Sequence, residues 1–324
     1  MPHAIVLRDP GSASALRMEE VTVGDPGPGE LRIRQTAIGV NFHDIYVRNG
    51  LYKTLPLPGI PGIEAAGVVT GIGPDIDDIR VGDRVGYVTA GYGAYASERL
   101  LPAGLAIRLP DWLDNRVAAS VLVRGLTVEV LTRAVHPVQP GDRVLVHAAG
   151  SGVGRLLCQK LRDIGAHVIG TAGSTEKAAA AHAAGCEQVI LYRAEDFVSR
   201  VAEITHGQGV QVAYDSVGKD TFMGSLACLA SRGHLVNYGQ ASGPVPPFEV
   251  SRLAARSTTL SRPILFHYLA DRAERDGLVG GLFDAVARNV LTTEHTHALP
   301  LAAASTAHEM LENRQATGPI ILLA

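Results

Sequence analysis

Over its first 110 residues the chain places apolar positions in short runs broken by glycine and proline. The runs are 31–40 (LRIRQTAIGV), 65–72 (AAGVVTGI), 83–89 (DRVGYVT) and 92–101. Clusters such as DPGPGE (25–30) and LPLPGIPG (55–62) punctuate them. Short β-rich runs between such turns predict a partly open β-barrel. From residue 115 the period changes. The stretch 115–134 lacks proline and spaces Val117, Val121, Leu122, Leu126, Val130 and Leu131 as a helix does, with Gly125 expected to break or kink it. Strand and helix then alternate. Strands are predicted at 143–148, 167–171, 188–192, 210–215 and 234–238, with helices at 153–164, 175–184, 194–205 and 220–229. Apolar strands joined by helices mean parallel pairing in a doubly wound sheet covered on both faces. After residue 262 the pattern loosens into helix 277–289, a loop, helix 302–312 and a terminal strand 320–323.

Composition adds limits. At 324 residues, 46% hydrophobic, the chain can bury a sizeable core, and its length predicts two domains. A net charge of −3 supplies no bulk positive field to recruit nucleic acid or an anionic membrane. Cys158, Cys186 and Cys228 form neither a disulfide framework nor a zinc knuckle, which suits a reducing compartment. The first residues, MPHAIVLRDPG, are charged too early for a signal peptide, and no apolar run is long enough to span a bilayer. A cytoplasmic protein is expected.

The most informative stretch is 143–154, RVLVHAAGSGVG, where an apolar strand runs into Gly150, Gly152 and Gly154 and a helix follows with Val153 in its first turn. Glycines at such a junction let a diphosphate approach the free N–H groups of the helix N-terminus. The spacing is G-x-G-x-G rather than the full dinucleotide fingerprint, and no P-loop lysine follows, so a tight turn without ligand is the competing reading. The second strand narrows the choice of nucleotide. An NAD-binding unit carries an acid there to hold the ribose 2′-hydroxyl. This strand ends in Ala172-Gly173-Ser174, with Lys177 one turn on. A hydroxyl and an ammonium suit a 2′-phosphate that a carboxylate would repel. NADP(H) is preferred, against Glu176 nearby and against Lys177 as a plain solvated lysine.

Several motifs frame this loop. Before it stand VNFHDIY (40–46), GLY (50–52), GIEAAG (62–67), VGDRV (81–85), GAY (93–95) and GLT (125–127). After it come Tyr192, YDSVG (214–218), Arg262-Pro263 and Arg314. Together they closely resemble the quinone oxidoreductases, or zeta-crystallin-like proteins, of the medium-chain dehydrogenase/reductase superfamily, from about residue 5 to the end. The resemblance implies an α/β protein with a GroES-like β-barrel catalytic domain (1–124 and 262–324) around an inserted Rossmann sheet (125–261). It implies NADPH in the cleft, a quinone as substrate and a homodimer. By the same likeness the glycine loop, Gly173, Ser174, Lys177 and Tyr192 would hold the adenosine end. Asn41, Asp44, Thr127, Val217, Tyr238 and Gly239 would flank the nicotinamide side, and Arg314 would reach the cofactor from near the C-terminus. Tyr46, Tyr52 and residues 263–266 would line the acceptor slot. The chain departs from the family's usual residues at Ser151, His43, Arg124 and the loop 238–247.

Zinc-dependent members carry cysteine where Asn41 stands and a His-Glu pair where Ile63-Glu64 stands. The three cysteines all fall in the expected nucleotide domain, so no metal site is predicted. Without a Lewis acid an alcohol is hard to oxidise, whereas a quinone is already electrophilic. Asp44 and Glu64 read either as a catalytic pair or as a structural carboxylate network around Asn41. Tyr46 and Tyr52 either orient the acceptor or simply pack. His43 either donates a proton or packs in its loop, and the His295/His297 pair is the one close histidine pair. Three activities stay open: NADPH-dependent quinone reduction, reduction of an enone or alkene, and a cofactor-stabilised structural or RNA-binding role, against which the charge argues.

Overall fold

A computed structural model describes residues 1–293 and 296–324; of the sequence-close His295 and His297, His295 lies outside the described residues. Contacts divide the chain into two compact units, Met1–Val123 with Thr293–Ala324, and Arg124–Thr292.

The first unit opens with the hairpin β1 (His3–Leu7) and β2 (Leu16–Glu20). The long strand β3 (Glu30–Val40) follows, then the short helix α1 (Phe42–Arg48). Next come β4 (Glu64–Ile72), β5 (Arg84–Val88), β6 (Glu98–Pro102) and β7 (Ile107–Arg108). Strand β3 organises this unit. Its period-two pattern turns Leu31, Ile33 and Ala37 into the core. It pairs antiparallel with β4, and with β6 along its first half. Helix α2 (Asn115–Glu129) contains the first boundary between the units and runs without a break through Gly125. The irregularity expected there falls later, as a π-type turn at Val130–Val135.

The second unit is a six-stranded sheet of β8 (Arg143–Val146), β9 (His167–Ala172), β10 (Gln188–Leu191), β11 (Val210–Asp215), β12 (Leu229–Asn237) and β13 (Thr259–Ser261). The order is β10-β9-β8-β11-β12-β13 and every pairing is parallel. Helices α3 (Gly152–Ile164), α4 (Thr175–Ala184), α5 (Phe197–Ile204) and α6 (Phe222–Ala227) connect the strands. The order reverses between β8 and β11, and in such sheets ligands bind beyond the strand ends at that reversal. Helices α7 (Leu265–Tyr268) and α8 (Arg272–Ala287) follow. The chain then returns to the first unit as β14 (His297–Pro300), α9 (Ala304–Glu312) and β15 (Ile320–Leu323). Strand β15 pairs with the far half of β3 and buries Ile320 and Leu322 completely.

Two stretches differ from expectation. Of 92–101 only the end is a ladder strand, because Tyr92 and Gly93 both have positive φ and turn the chain. The segment 262–292, which the family resemblance places with the barrel, groups with the second unit. Gln159 and Thr292 exchange two hydrogen bonds of 3.0 and 3.1 Å, and Arg288 meets Asp163 at 3.3 Å.

Candidate active site

In the second unit, strand β8 ends at the reversal point and Ser151 leads into α3 with extended φ of −149°. Gly152, Val153 and Gly154 form the first turn, whose N–H groups have no intrahelical partner by construction. Gly150 sits against the first turn of α4, so close that a Cβ there would overlap the Lys177 carbonyl oxygen. That contact brings the glycine loop, Ser174 and Lys177 to one place. The Ser174 hydroxyl accepts from the Lys177 N–H at 3.3 Å and so caps α4. Tyr192 is 43% exposed and its hydroxyl lies over Gly173. A glycine loop packed on the backbone of α4, with Lys177 in that helix's first turn and no acid at the end of β9, fits a dinucleotide with a 2′-phosphate.

Val217, Tyr238 and Gly239 follow β11 and β12 at the same edge of the sheet, and Thr127 lies half-buried on α2. A buried polar chain beneath them escaped the sequence reading. The Asp215 carboxylate accepts from the Val217 and Gly218 N–H groups at 2.8 and 2.9 Å, from Thr221 Oγ1 at 2.8 Å and from Ser225 Oγ at 2.9 Å. Ser225 Oγ also meets His147 Nε2 at 2.9 Å, and His147 Nδ1 meets Thr171 Oγ1 at 3.0 Å. The ends of β8, β9 and β11 are therefore tied together. Burial lowers the His147 pKa and Asp215 partly opposes the shift. Asn237 Nδ2 adds bonds to the Asp215 and Gly239 carbonyls at 3.2 and 3.1 Å. The available signal was the motif YDSVG, whose aspartate precedes the loop it holds.

In the first unit, Asn41 follows β3 and caps α1. Its N–H donates to Asp44 Oδ2 at 2.8 Å, and the Asp44 N–H returns to the Asn41 carbonyl at 3.0 Å. Asn41 Nδ2 donates to Glu64 Oε1 at 2.7 Å, while Glu64 Oε2 accepts from the Val123 N–H at 2.7 Å. Asp44 and Glu64 are both fully buried. Tyr95 joins the set, its hydroxyl donating to Asp44 Oδ2 at 3.2 Å and meeting His308 Nε2 at 3.0 Å. Arg48 Nη1 donates to Glu312 Oε2 at 2.9 Å, and Arg48 Nη2 meets Glu312 Oε1 at 2.5 Å. Burial and the Arg48 charge hold the His308 pKa down to about 3. Burial raises the Tyr95 pKa, and the Asp44 charge adds to it. These carboxylates hold Asn41, the Tyr95 hydroxyl and backbone N–H groups.

Beside this network lies an aromatic cluster. The rings of Tyr46 and Tyr52 meet edge to face at 5.1 Å, Phe42 lies 6.2 Å from Tyr46, and His43 meets Tyr52 at 5.4 Å. Arg314 stands exposed beyond α9 with φ of 58°. Residues 262–264 of the second unit line a groove of about 320 Å³ with His267, Tyr268 and Glu274. Among the described residues no group of three or more His, Cys, Asp or Glu side chains is placed to hold a metal ion. The Asn41 amide and Glu64 carboxylate, committed to each other, do not make a zinc donor set. Among the described residues no helix is long and apolar enough to cross a membrane.

Comparison with known proteins gives two family matches, "Alcohol dehydrogenase GroES-like domain" over residues 27–111 and "Zinc-binding dehydrogenase" over 152–275. The chain is 43% identical to the 2-haloacrylate reductase of a Burkholderia species, over all of this chain and 99% of that one. It is 42% identical to a quinone oxidoreductase of Salmonella typhimurium, over 97% of each chain. The crystal structure of an Escherichia coli quinone oxidoreductase complexed with NADPH matches with a TM-score of 0.95 and 38% identity, covering 99% of this chain and 100% of that one.

Proposed function

The chain belongs to the quinone oxidoreductase family of medium-chain dehydrogenases/reductases, and from that premise we propose that it reduces quinones with NADPH and without a metal. The observation that carries the reading is the cradle at Gly150, walled by the Lys177 backbone, beside a strand β9 that ends without an acid. Bound NADPH supplies a hydride from its nicotinamide ring. The N–H groups of Gly152, Val153 and Gly154 bind the diphosphate, while Ser174, Lys177 and Tyr192 hold the adenosine 2′-phosphate beside Gly173. Asn41, Thr127, Val217, Tyr238 and Gly239 flank the nicotinamide side, and Arg314 adds a cation. Tyr46 and Tyr52 orient the acceptor ring, and Asp44 and Glu64 act through Asn41 as positioning residues. Aligning a flat electrophile and excluding water are then the protein's main contributions. A homodimer in the cytoplasm belongs to the same reading, and light scattering of the purified protein tests the dimer.

The test is NADPH oxidation against a panel of benzoquinones and naphthoquinones, with NADH in parallel. Faster turnover with NADPH is expected; equal or better use of NADH overturns the cofactor assignment. Lys177→Ala should weaken NADPH binding in a fluorescence titration and spare NADH. The likeness to a 2-haloacrylate reductase favours a second reading, reduction of an activated alkene. Consumption of NADPH with 2-haloacrylates or 2-enones but no quinone would establish it.

A further inference from the structure

We propose that Thr54, Tyr92 and His43 form a proton relay, with His43 as the general acid that protonates the reduced acceptor. This rests on the quinone-reductase reading for its hydride and its acceptor. The Tyr92 hydroxyl lies 3.2 Å from His43 Nε2 and also shares a hydrogen bond with Thr54 Oγ1. Thr54 is exposed, Tyr92 is 4% exposed and His43 is half-buried, so the chain leads from solvent into the cluster that includes Tyr46 and Tyr52. Each of the three groups can both donate and accept.

The backbone at Tyr92 is the second observation. Its φ of 56° is rare for a bulky residue. The turn is pinned by Arg99 Nη1 on the Tyr92 carbonyl at 2.5 Å and by the Gly93 N–H on the Ile60 carbonyl at 2.8 Å. Left-handed backbone at a non-glycine persists where its surroundings impose it. Here it brings the hydroxyl to His43.

Protonation fits a relay. Burial lowers the His43 pKa to about 4, so the imidazole is neutral near pH 7. Burial raises the Tyr92 pKa, with Asp44 and Tyr52 acting in the same direction and the Thr54 hydrogen bond against it. Asp44 follows His43 on α1, and the Tyr52 and Tyr92 rings pack against the imidazole. A neutral imidazole passes a proton by taking one on one nitrogen and releasing one from the other.

The balance closes. Hydride transfer adds one hydrogen and two electrons to the quinone and leaves an oxyanion. That oxygen takes the His43 proton as an O–H bond forms and an N–H bond breaks. His43 is reprotonated by Tyr92, Tyr92 by Thr54 and Thr54 by water. The net change is one NADPH, one quinone and one solvent proton consumed, with NADP⁺ and hydroquinone formed.

The experiment compares the wild type with His43→Ala and Tyr92→Phe on two acceptors. One is a naphthoquinone whose hydroquinone is a weak acid. The other is tetrachloro-1,4-benzoquinone, whose product is stable as an anion. Loss of a general acid should lower kcat for the naphthoquinone about 100-fold. KM and NADPH affinity by fluorescence should change little, the tetrachloro acceptor should lose far less, and added imidazole should restore part of the His43→Ala rate. Tyr92→Phe keeps the ring and cuts the chain, so it should show the same selectivity. Equal loss on both acceptors, or none on either, overturns the relay and leaves the quinone reading standing. A wild type that oxidises no NADPH with any quinone removes the reading and the relay together.

Discussion

A single methyl group decides the glycine loop. At Gly150 an alanine Cβ would overlap the Lys177 carbonyl, and neither backbone can yield without moving α4. Gly150→Ala should therefore cost about 1–3 kcal/mol in urea denaturation and weaken NADPH binding in a fluorescence titration. Glu64 is a different case, a buried carboxylate serving two buried donors. Glu64→Ala should cost roughly 2–5 kcal/mol, because the Asn41 amide and the Val123 N–H each lose a partner. Glu64→Gln keeps one good acceptor and should cost less. At this scale the sequence showed which residue types carry chemistry. It did not show which of them are buried: the same Asp44-Glu64 pair reads as catalytic or structural until its partners are seen.

Helices and strands carry the next set of effects. Helix α9 brings His308 against Tyr95 on the first unit's core side, where the imidazole stays neutral. Its pKa is near 6.5 when unfolded and about 3 when folded. Between those values the unfolded chain binds a proton that the folded chain does not. Its contribution therefore lowers stability as pH falls from about 6.5 toward 3, with none above that window. His308→Gln should flatten this acid limb in denaturant titrations taken across pH. Strand β11 ends in Asp215, which fastens the loop carrying Val217. Asp215→Asn turns one acceptor oxygen into a donor facing donors and should cost about 1–3 kcal/mol, with weaker NADPH binding while circular dichroism stays native. The alternation of β and α was legible because each strand's apolar run is local. The polar chain from Asp215 to Thr171 was not, because its members come from the residue after β8 and from β9, β11 and α6.

At the scale of the whole chain, the first unit is assembled from both ends. Strand β15 pairs with β3 across some 280 residues of sequence, and Ile320, Ile321 and Leu322 are fully buried. Fully burying one such side chain contributes about 1.5–3 kcal/mol, so removing residues 320–324 should cost several kcal/mol. Limited proteolysis should then cut the first unit well before the second.

What the sequence by itself determined is what is written locally. It specified a β-rich stretch followed by βα alternation, a glycine loop after an apolar strand, and a second strand ending without an acid. Those features depend on side-chain period and on backbone freedom, and both are properties of neighbouring residues. The tertiary structure alone decided that Lys177 walls Gly150, that residues 262–292 group with the second unit, and that Tyr92 turns its hydroxyl onto His43. Each joins residues far apart in the chain, and only packing selects such partners.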